Sequence, residues 1–439
     1  MIKKYFQLDE NGSDIKTEVL AGVTTFLAAM YIIVVNPSII SKTGMPFNAV
    51  LTATVLVSGF STIMMGLYAK NPILVAPGMG LNAFFTFSVV LGMGVKWETA
   101  LGSVFWAGIV FLILSVLNIR TYIVKAIPKQ IRYAVSAGIG LFIALIGLVD
   151  AHFIIGDPAT LIKLGKMDAV TITFAVGLII TAMLVIKNIK GGLILGIAAT
   201  TILSIPIGRM YGNASSINFG LPTLVTWKGI FAQPDFSLLF KMDLIGSLQF
   251  AIFPVTFAFL FTDMFDSLST FVGVAEAADL IDQDGEPRNV KQSLIVDAVS
   301  TTISGIFGSS AGTAYIESAA GIEQGGRTGL TAVTAGLLFF PFMFISPLLS
   351  VVPSIATAPA LVLVGVFMMK PVLKINWSKF DDAIPAFIAL IVIPFSYSIT
   401  QGIIWGFLTW TSIKLLLGKK DEVSIMLIVI DIFAILALI

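Results

Sequence analysis

Four carboxylates lie in stretches too apolar to solvate them. Residues 262–273 read TDMFDSLSTFVG and residues 313–322 read TAYIESAAGI, and Asp263, Asp266, Asp297 and Glu317 all fall inside hydropathic runs. An ionised carboxylate near the centre of a bilayer costs a few kcal/mol on insertion scales, so it marks function by default. Asp263 and Asp266 are three residues apart, nearly on one helical face, with the hydroxyls of Ser267 and Thr270 beside Asp266. The flanking cations are Lys241 and Arg288, so this segment has no sequence-local counter-ion. A carboxylate so placed is kept by an ion pair, by a proton, or by the donors of a ligand. Without local pairing, the other two options point to proton coupling and to a substrate rich in N–H groups. Asp297 has Ser300, Thr301 and Thr302 as neighbours and reads equally as a hydrogen-bond hub or as a proton-handling group. Asp263 reads as a packing bond to an adjacent helix.

Other chemistry is sparse. The 439-residue chain has no cysteine, which excludes disulfides, thiol nucleophiles and zinc–thiolate sites. Its single histidine, His152, forms no metal cluster alone, and a net charge of +1 offers no basic surface for nucleic acid. Neither a metal nor a cofactor is expected. Hydrophobic residues make up 57% of the chain and charged ones 12%, against roughly 25% charged in soluble proteins. With a mean hydropathy of +0.99 this is a polytopic protein of the lipid bilayer. The polar N-terminus, MIKKYFQLDENGSDIKTEV, lacks the apolar core of a cleaved signal peptide.

The elements that must position the acids follow from hydropathy. Runs near 17–36, 47–68, 73–92, 98–118, 131–150, 168–186 and 191–208 form a first half, residues 1–208. A Pro- and Gly-containing connection, 209–245, is expected outside the cell. Runs near 246–275, 292–308, 313–324, 328–349, 353–369, 381–398 and 401–417 form a second half, residues 246–417. The tail, 418–439, ends in an apolar segment (424–439) that contains Asp431 and stays unassigned between a span and a surface helix. Placing the N-terminus in the cytoplasm puts 19 cationic residues inside and 7 outside, as the positive-inside rule requires of the cytoplasmic membrane.

Seven spans per half is odd, so homologous halves must lie in opposite orientations. Residues 53–83 (ATVLVSGFSTIMMGLYAKNPILVAPGMGLNA) and 296–321 (VDAVSTTISGIFGSSAGTAYIESAAG) share a small-residue helix, a Gly break, a short extended piece (ILVA, TAYI) and a Gly/Ala/Ser-rich run. Both interruptions occupy the third span of their half. Extended backbone at membrane depth cannot face lipid, so the two pieces are expected to pair, each followed by a half-helix whose N-terminus points at the midplane. Pro77 is expected in the first helical turn, and Glu317 at the start of the second half-helix, beside free N–H groups. Phe84, Phe85 and Tyr315 border the breaks and suit stacking on a flat ligand. The acidic run DLIDQDGEPR (279–288) lacks the twelfth-position Glu of a calcium loop and reads as a solvated hairpin.

The pieces GVTTFLAAMYIIVVNP (22–37), APGMGLNAFF (76–85), FTDMFDSLSTFVGVA (261–275) and YIESAAGIEQGGRTGL (315–330) carry a resemblance that runs along the whole chain. The chain resembles the nucleobase–cation symporter-2 family, in its bacterial adenine/guanine/hypoxanthine (azaguanine-permease-like) branch. The resemblance implies an all-α membrane protein of fourteen spans in two inverted seven-span repeats. Spans 1–4 and 8–11 would form a core domain, and spans 5–7 and 12–14 a gate domain. It implies that Asp266 and Glu317 hold the base; because two buried anions at close range are unfavourable, these two, with Asp297, are the proton-coupling candidates. The broken spans would supply backbone and aromatic contacts from Ala76, Gly80, Asn82, Phe84, Phe85, Tyr315 and Ser318. Many symporters outside this branch carry His or Asp at the position of Thr270, which here offers only a hydroxyl. The resemblance also implies proton symport of a purine nucleobase, and many members are homodimers.

Three other readings compete. A uracil or xanthine carrier needs nearly the same site. An anion exchanger has the same fold, but acids facing the site disfavour anions. An intramembrane prenyltransferase would use the D-x-x-D pairs Asp263/Asp266 and Asp279/Asp282 to chelate magnesium on a diphosphate, yet the interval from Lys241 to Arg288 lacks the cations such a group needs.

Overall fold

The computed structural model describes residues 2–117, 128–210, 229–278, 280 and 287–436. Among them, fourteen stretches follow one another as the hydropathy predicts. Span 1 comprises Ile15–Ala29 and Ile32–Ile40, and span 2 runs Phe47–Met64 before widening into a π turn, Met65–Ala69. Span 3 is a strand, β1 (Val75–Pro77), a short helix Met79–Ala83 and a π segment Phe84–Gly92. Spans 4 to 7 are Trp97–Val116, Lys129–Asp150, Ala169–Ile186 and Gly192–Met210. In the second half, span 8 is Phe253–Ala278 and span 9 Val290–Phe307. Span 10 joins a strand, β4 (Gly312–Ala314), to a helix Ser318–Glu323, and span 11 begins at Gly329–Phe339. Spans 12 to 14 are Ser354–Met368, Phe380–Ser396 and Ile399–Leu416. Seven of these stretches are long and apolar enough to cross a bilayer; the rest are shorter, broken or more polar.

The helices begin where a polar side chain precedes an apolar run. Asp14 accepts from the Thr17 N–H, and Asp168 forms a capping box with Thr171. Spans 1–4 and 8–11 pack chiefly on one another, as do spans 5–7 and 12–14. Both groups use glycine for close approach. Gly66 of span 2 and Gly329 of span 11 lie backbone to backbone, as do Gly140 of span 5 and Gly365 of span 12.

Glu18 is a buried carboxylate that the sequence reading does not single out, because it sits in the first turn of span 1, where an acid ordinarily faces water. Its oxygens accept from the N–H groups of Arg327 (3.0 Å), Thr328 (3.3 Å) and Thr331 (3.3 Å) and from the Thr331 hydroxyl (2.5 Å). Span 1 thus caps the start of span 11, where the helix leaves its N–H groups unpaired.

Two features were not expected. Between spans 5 and 6 lies a hairpin of β2 (Ile154–Asp157) and β3 (Leu161–Leu164), with Asp157 opposite Leu161. Lys163 and the N–H groups of Ala159 and Thr160 hold the Asp157 carboxyl below the usual carboxylate range. At the other end of the chain, the fully buried Lys414 meets Asp381 at 2.8 Å and both Asp382 and Glu422 at 2.6 Å. This tie fastens the tail to spans 13 and 14 and draws the Glu422 carboxyl down from its usual range. The unassigned apolar segment forms a helix, Ile425–Leu436, that packs along span 14 with Leu427 and Asp431 turned inward. Residues 211–228 of the connection, Arg120, Lys125, Asp279, Asp282 and residues 437–439 lie outside the described residues.

Candidate functional site

The site is built on the pairing of the interrupted spans. β1 and β4 run antiparallel with Val75 opposite Ala314, Ala76 opposite Thr313 and Pro77 opposite Gly312. The pairing continues past both ends: Gly78 donates to the Ala311 carbonyl (3.0 Å) and Tyr315 to the Leu74 carbonyl (2.9 Å). Side chains satisfy the outward-facing backbone, as burial demands. The Thr62 hydroxyl of span 2 lies 2.9 Å from the Val75 carbonyl and 3.0 Å from the Val75 N–H. The Thr301 hydroxyl of span 9 lies 3.0 Å from the Gly312 carbonyl, and Ser318 accepts from the Leu74 N–H (3.0 Å) while donating to the Tyr315 carbonyl (2.6 Å).

These bonds correct two expectations. Pro77 ends β1 rather than starting a helix, and its carbonyl accepts the Tyr315 hydroxyl at 2.5 Å. The helix after β4 is only six residues long, and Glu317 at its cap position forms no side-chain capping bond. The N–H groups of Ser318, Ala319 and Ala320 turn back onto the carbonyls of Tyr315, Ile316 and Glu317, so the first turn is not an open N–H cradle.

Span 8 is pinned to β4 one residue beyond Asp266. The Ser267 and Thr313 hydroxyls share a hydrogen bond of 2.6 Å, and the Ala314 N–H reaches Ser267 at 3.3 Å. This tie brings the Asp266 carboxyl into electrostatic contact with Glu317. Tyr31, at the step between the two helices of span 1, donates to Glu317 Oε1 at 2.7 Å. Asp266 and Glu317 each remain partly accessible, whereas Asp263 and Asp297 are fully buried behind the strands. Burial thus divides the four acids into a partly accessible pair and an enclosed pair. Asp263 Oδ2 accepts from Thr301 at 2.5 Å. Asp297 lies within electrostatic reach of Asp263, and its carboxyl is turned toward the Ser267 hydroxyl and the Ala314 N–H.

The other sequence-predicted residues scatter around this centre. Ala76 is the middle residue of β1, and Thr270 is buried one turn beyond Asp266. Asn82 accepts from Ser310, and its amide nitrogen lies 3.8 Å from the Met79 sulfur. Phe84 and Phe85 are buried against Phe259 of span 8, with ring centroids 4.8 and 6.4 Å away. A Cβ on Gly80 would stand 2.5 Å from Ile139 Cγ2, so Gly80 marks the close approach of span 3 to span 5. Tyr31 escaped the sequence reading. A tyrosine in the run AAMYIIVV looks like interfacial bulk, and only its hydroxyl contact across 286 positions reveals otherwise.

The seam between the two packed groups carries its own contacts. Lys42, just after span 1, pairs with Asp150 at the end of span 5 at 2.5 and 2.6 Å and stands 5.2 Å from the Phe87 ring centroid. Ser88 donates to the Tyr397 carbonyl at 2.5 Å. Breaking the Lys42 pair should loosen this end of the seam. Lys42→Ala is expected to raise the maleimide labelling rate of a Ser88→Cys reporter about fivefold, the equivalent of ~1 kcal/mol for a partly exposed pair. The chain contains no other cysteine to confuse the readout. An unchanged rate would show that the pair does not hold the seam.

Comparison with known proteins gives concordant matches. A family described as "Permease family" (Xan_ur_permease) matches residues 16–404. The chain is 39% identical to adenine permease AdeP of Escherichia coli (strain K12), over 100% of this chain and 96% of the relative. It is 40% identical to guanine/hypoxanthine permease PbuO of Bacillus subtilis (strain 168), over 98% of each. Among solved structures, the transmembrane domain of a cyanobacterium bicarbonate transporter, BicA, superimposes with a TM-score of 0.66 at 17% identity, covering 89% of this chain and 97% of that one. SLC26A9 gives 0.65 at 11% identity, covering 94% and 68%. At such identities the likeness is one of fold, two inverted repeats of seven spans.

Proposed function

The chain belongs to the permease family, and from that premise we propose that it imports purine nucleobases across the cytoplasmic membrane together with protons. Membership removes the prenyltransferase alternative: this is a transporter, not an enzyme. The observation that carries the substrate reading is the meeting of Asp266 and Glu317, both partly accessible, beside the paired strands. A purine such as guanine or hypoxanthine presents N–H donors along one edge, and a carboxylate accepts such bonds at roughly 1.5–3 kcal/mol each. The relatives' names, adenine permease and guanine/hypoxanthine permease, point to the same substrate class. The solved neighbours include a bicarbonate transporter, but two carboxylates at the site repel an anion, and fold alone does not set function.

Proton coupling follows from like charge. Two anionic carboxyls at close range in a low-dielectric site are unfavourable, so loading a neutral base favours uptake of a proton by one of them. Spans 1–4 and 8–11 then act as a core that carries the site, and spans 5–7 and 12–14 as the gate it moves against. The N-terminus lies in the cytoplasm, and the resemblance further implies a homodimer.

Uptake of radiolabelled hypoxanthine into proteoliposomes tests the reading. Unlabelled adenine or guanine should compete and bicarbonate should not. An inward proton gradient should accelerate uptake several-fold. Competition by bicarbonate but not by purines would reject the substrate class, and identical uptake with and without the gradient would reject the coupling.

A further inference from the structure

Glu317 does not face its ligand alone. Its Oε1 receives the Tyr31 hydroxyl at 2.7 Å, from a side chain only 1% exposed. Tyr31 stands at residues 30–31, where span 1 tightens between its two helices: Ile33 donates to the Met30 carbonyl (3.1 Å), and Val34 (3.1 Å) and Val35 (3.0 Å) to that of Tyr31. The phenol therefore projects from a step fixed by span 1 itself, not from a mobile loop. It lies within electrostatic reach of Asp266 and Tyr315 as well as Glu317. Tyr315, the other phenol of the cluster, is committed to the Pro77 carbonyl at 2.5 Å. The two phenols thus divide the work: Tyr315 locks the strand pair and Tyr31 serves the carboxylate.

A glutamate carboxylate rotates broadly about its last torsion, and a partly buried one without donors has no preferred direction. A hydroxyl on one oxygen removes that freedom. It occupies Oε1 and, with the Glu317 N–H, restrains the carboxylate so that Oε2 is the oxygen turned to an N–H group of the ligand. We propose that Tyr31 is a positioning residue for purine binding, holding the Glu317 carboxylate so that a single oxygen is presented to the N–H edge of the base. This rests on the purine-site reading above. Recognition at Glu317 is then through one aimed acceptor rather than a freely rotating pair, and span 1 contributes to substrate affinity without touching substrate.

Tyr31→Phe keeps the ring and its packing and deletes only the hydroxyl. The test measures hypoxanthine uptake kinetics in proteoliposomes for wild type, Tyr31→Phe and Glu317→Gln, with the melting temperature of each ligand-free protein. Binding of hypoxanthine to Glu317→Gln and to the double variant is followed by thermal shift. Loss of one hydrogen bond to a charged group should raise KM about tenfold, with maximal rate within about twofold and the melting temperature unchanged. In the Glu317→Gln background the second substitution should weaken binding no further, because Tyr31 there holds an amide whose other end is no longer an acceptor for the base. Wild-type KM for Tyr31→Phe beside an inactive Glu317→Gln overturns the positioning role and leaves the site intact. A raised KM accompanied by a lower melting temperature, or a full additive loss in the double variant, assigns Tyr31 to packing and likewise overturns the proposal. Normal uptake by Glu317→Gln would instead overturn the site reading itself.

Discussion

Glu317→Gln is expected to abolish purine uptake, with kcat/KM falling at least 100-fold while the protein still accumulates in the membrane. The amide keeps an oxygen that accepts the Tyr31 hydroxyl, so the contact at 2.7 Å survives and the fold is spared. What changes is the group offered to substrate. An acceptor that formed a charge-assisted bond becomes a site that offers N–H donors to a base edge that also presents N–H. The lost bond, roughly 1.5–3 kcal/mol, adds to the cost of the unpaired donors, and each 1.4 kcal/mol is a factor of ten. Asp266→Asn should behave alike, since Asp266 lies within electrostatic reach of Glu317. It should also remove the second carboxyl available to a proton, so any residual uptake should no longer respond to a pH gradient. Transport assays paired with quantification of membrane protein decide the matter: full uptake by either variant at normal abundance would remove these acids from the site.

Gly329→Val should fail at an earlier stage, yielding little or no folded protein. The Cβ added at Gly329 would fall well inside van der Waals contact of the Gly66 carbonyl, and a Cβ at Gly66 would meet the Gly329 carbonyl in the same way. Here backbone opposes backbone, so no side chain can swing aside. Overpacking into flexible side chains typically costs 1–3 kcal/mol, and separating spans 2 and 11 should cost about 3 kcal/mol or more of a total of only roughly 5–15. It would also disturb the Glu18 cap at the head of span 11. Gly156→Ala, in the hairpin between spans 5 and 6, is the control, because its Cβ would come no nearer than 3.9 Å to the Leu161 carbonyl. Size-exclusion profiles in detergent should show a monodisperse peak for Gly156→Ala and aggregate or nothing for Gly329→Val.

The sequence made the fold legible because lipid imposes few and strict demands. Length and hydropathy fix where the chain can cross, and Gly and Pro punctuation near residues 71–80 and 305–321 marks where it cannot remain helical. The acids were legible for the same reason: Asp266 and Glu317 are expensive in lipid, and their cost does not depend on which helix lies alongside. What escaped depends on partners distant in sequence. Tyr31 and Glu18 acquire meaning only through residues some 300 positions away. Pro77 was displaced by two positions because proline suits a first helical turn and the end of a strand equally. The hairpin between spans 5 and 6 has two strands of four residues, too short for an alternating pattern to emerge.

The pairing of β1 with β4 bears on how such a molecule can have originated. Each half of the chain supplies one of the two strands, and among the described residues neither half holds another strand paired with its own. A solitary seven-span ancestor would have carried bare peptide groups into hydrocarbon, at a penalty of several kcal/mol for each. Such an ancestor would have had to insert in both directions and associate as an antiparallel couple from the start. Carrying both halves in one chain keeps together the partnership that the peptide backbone requires.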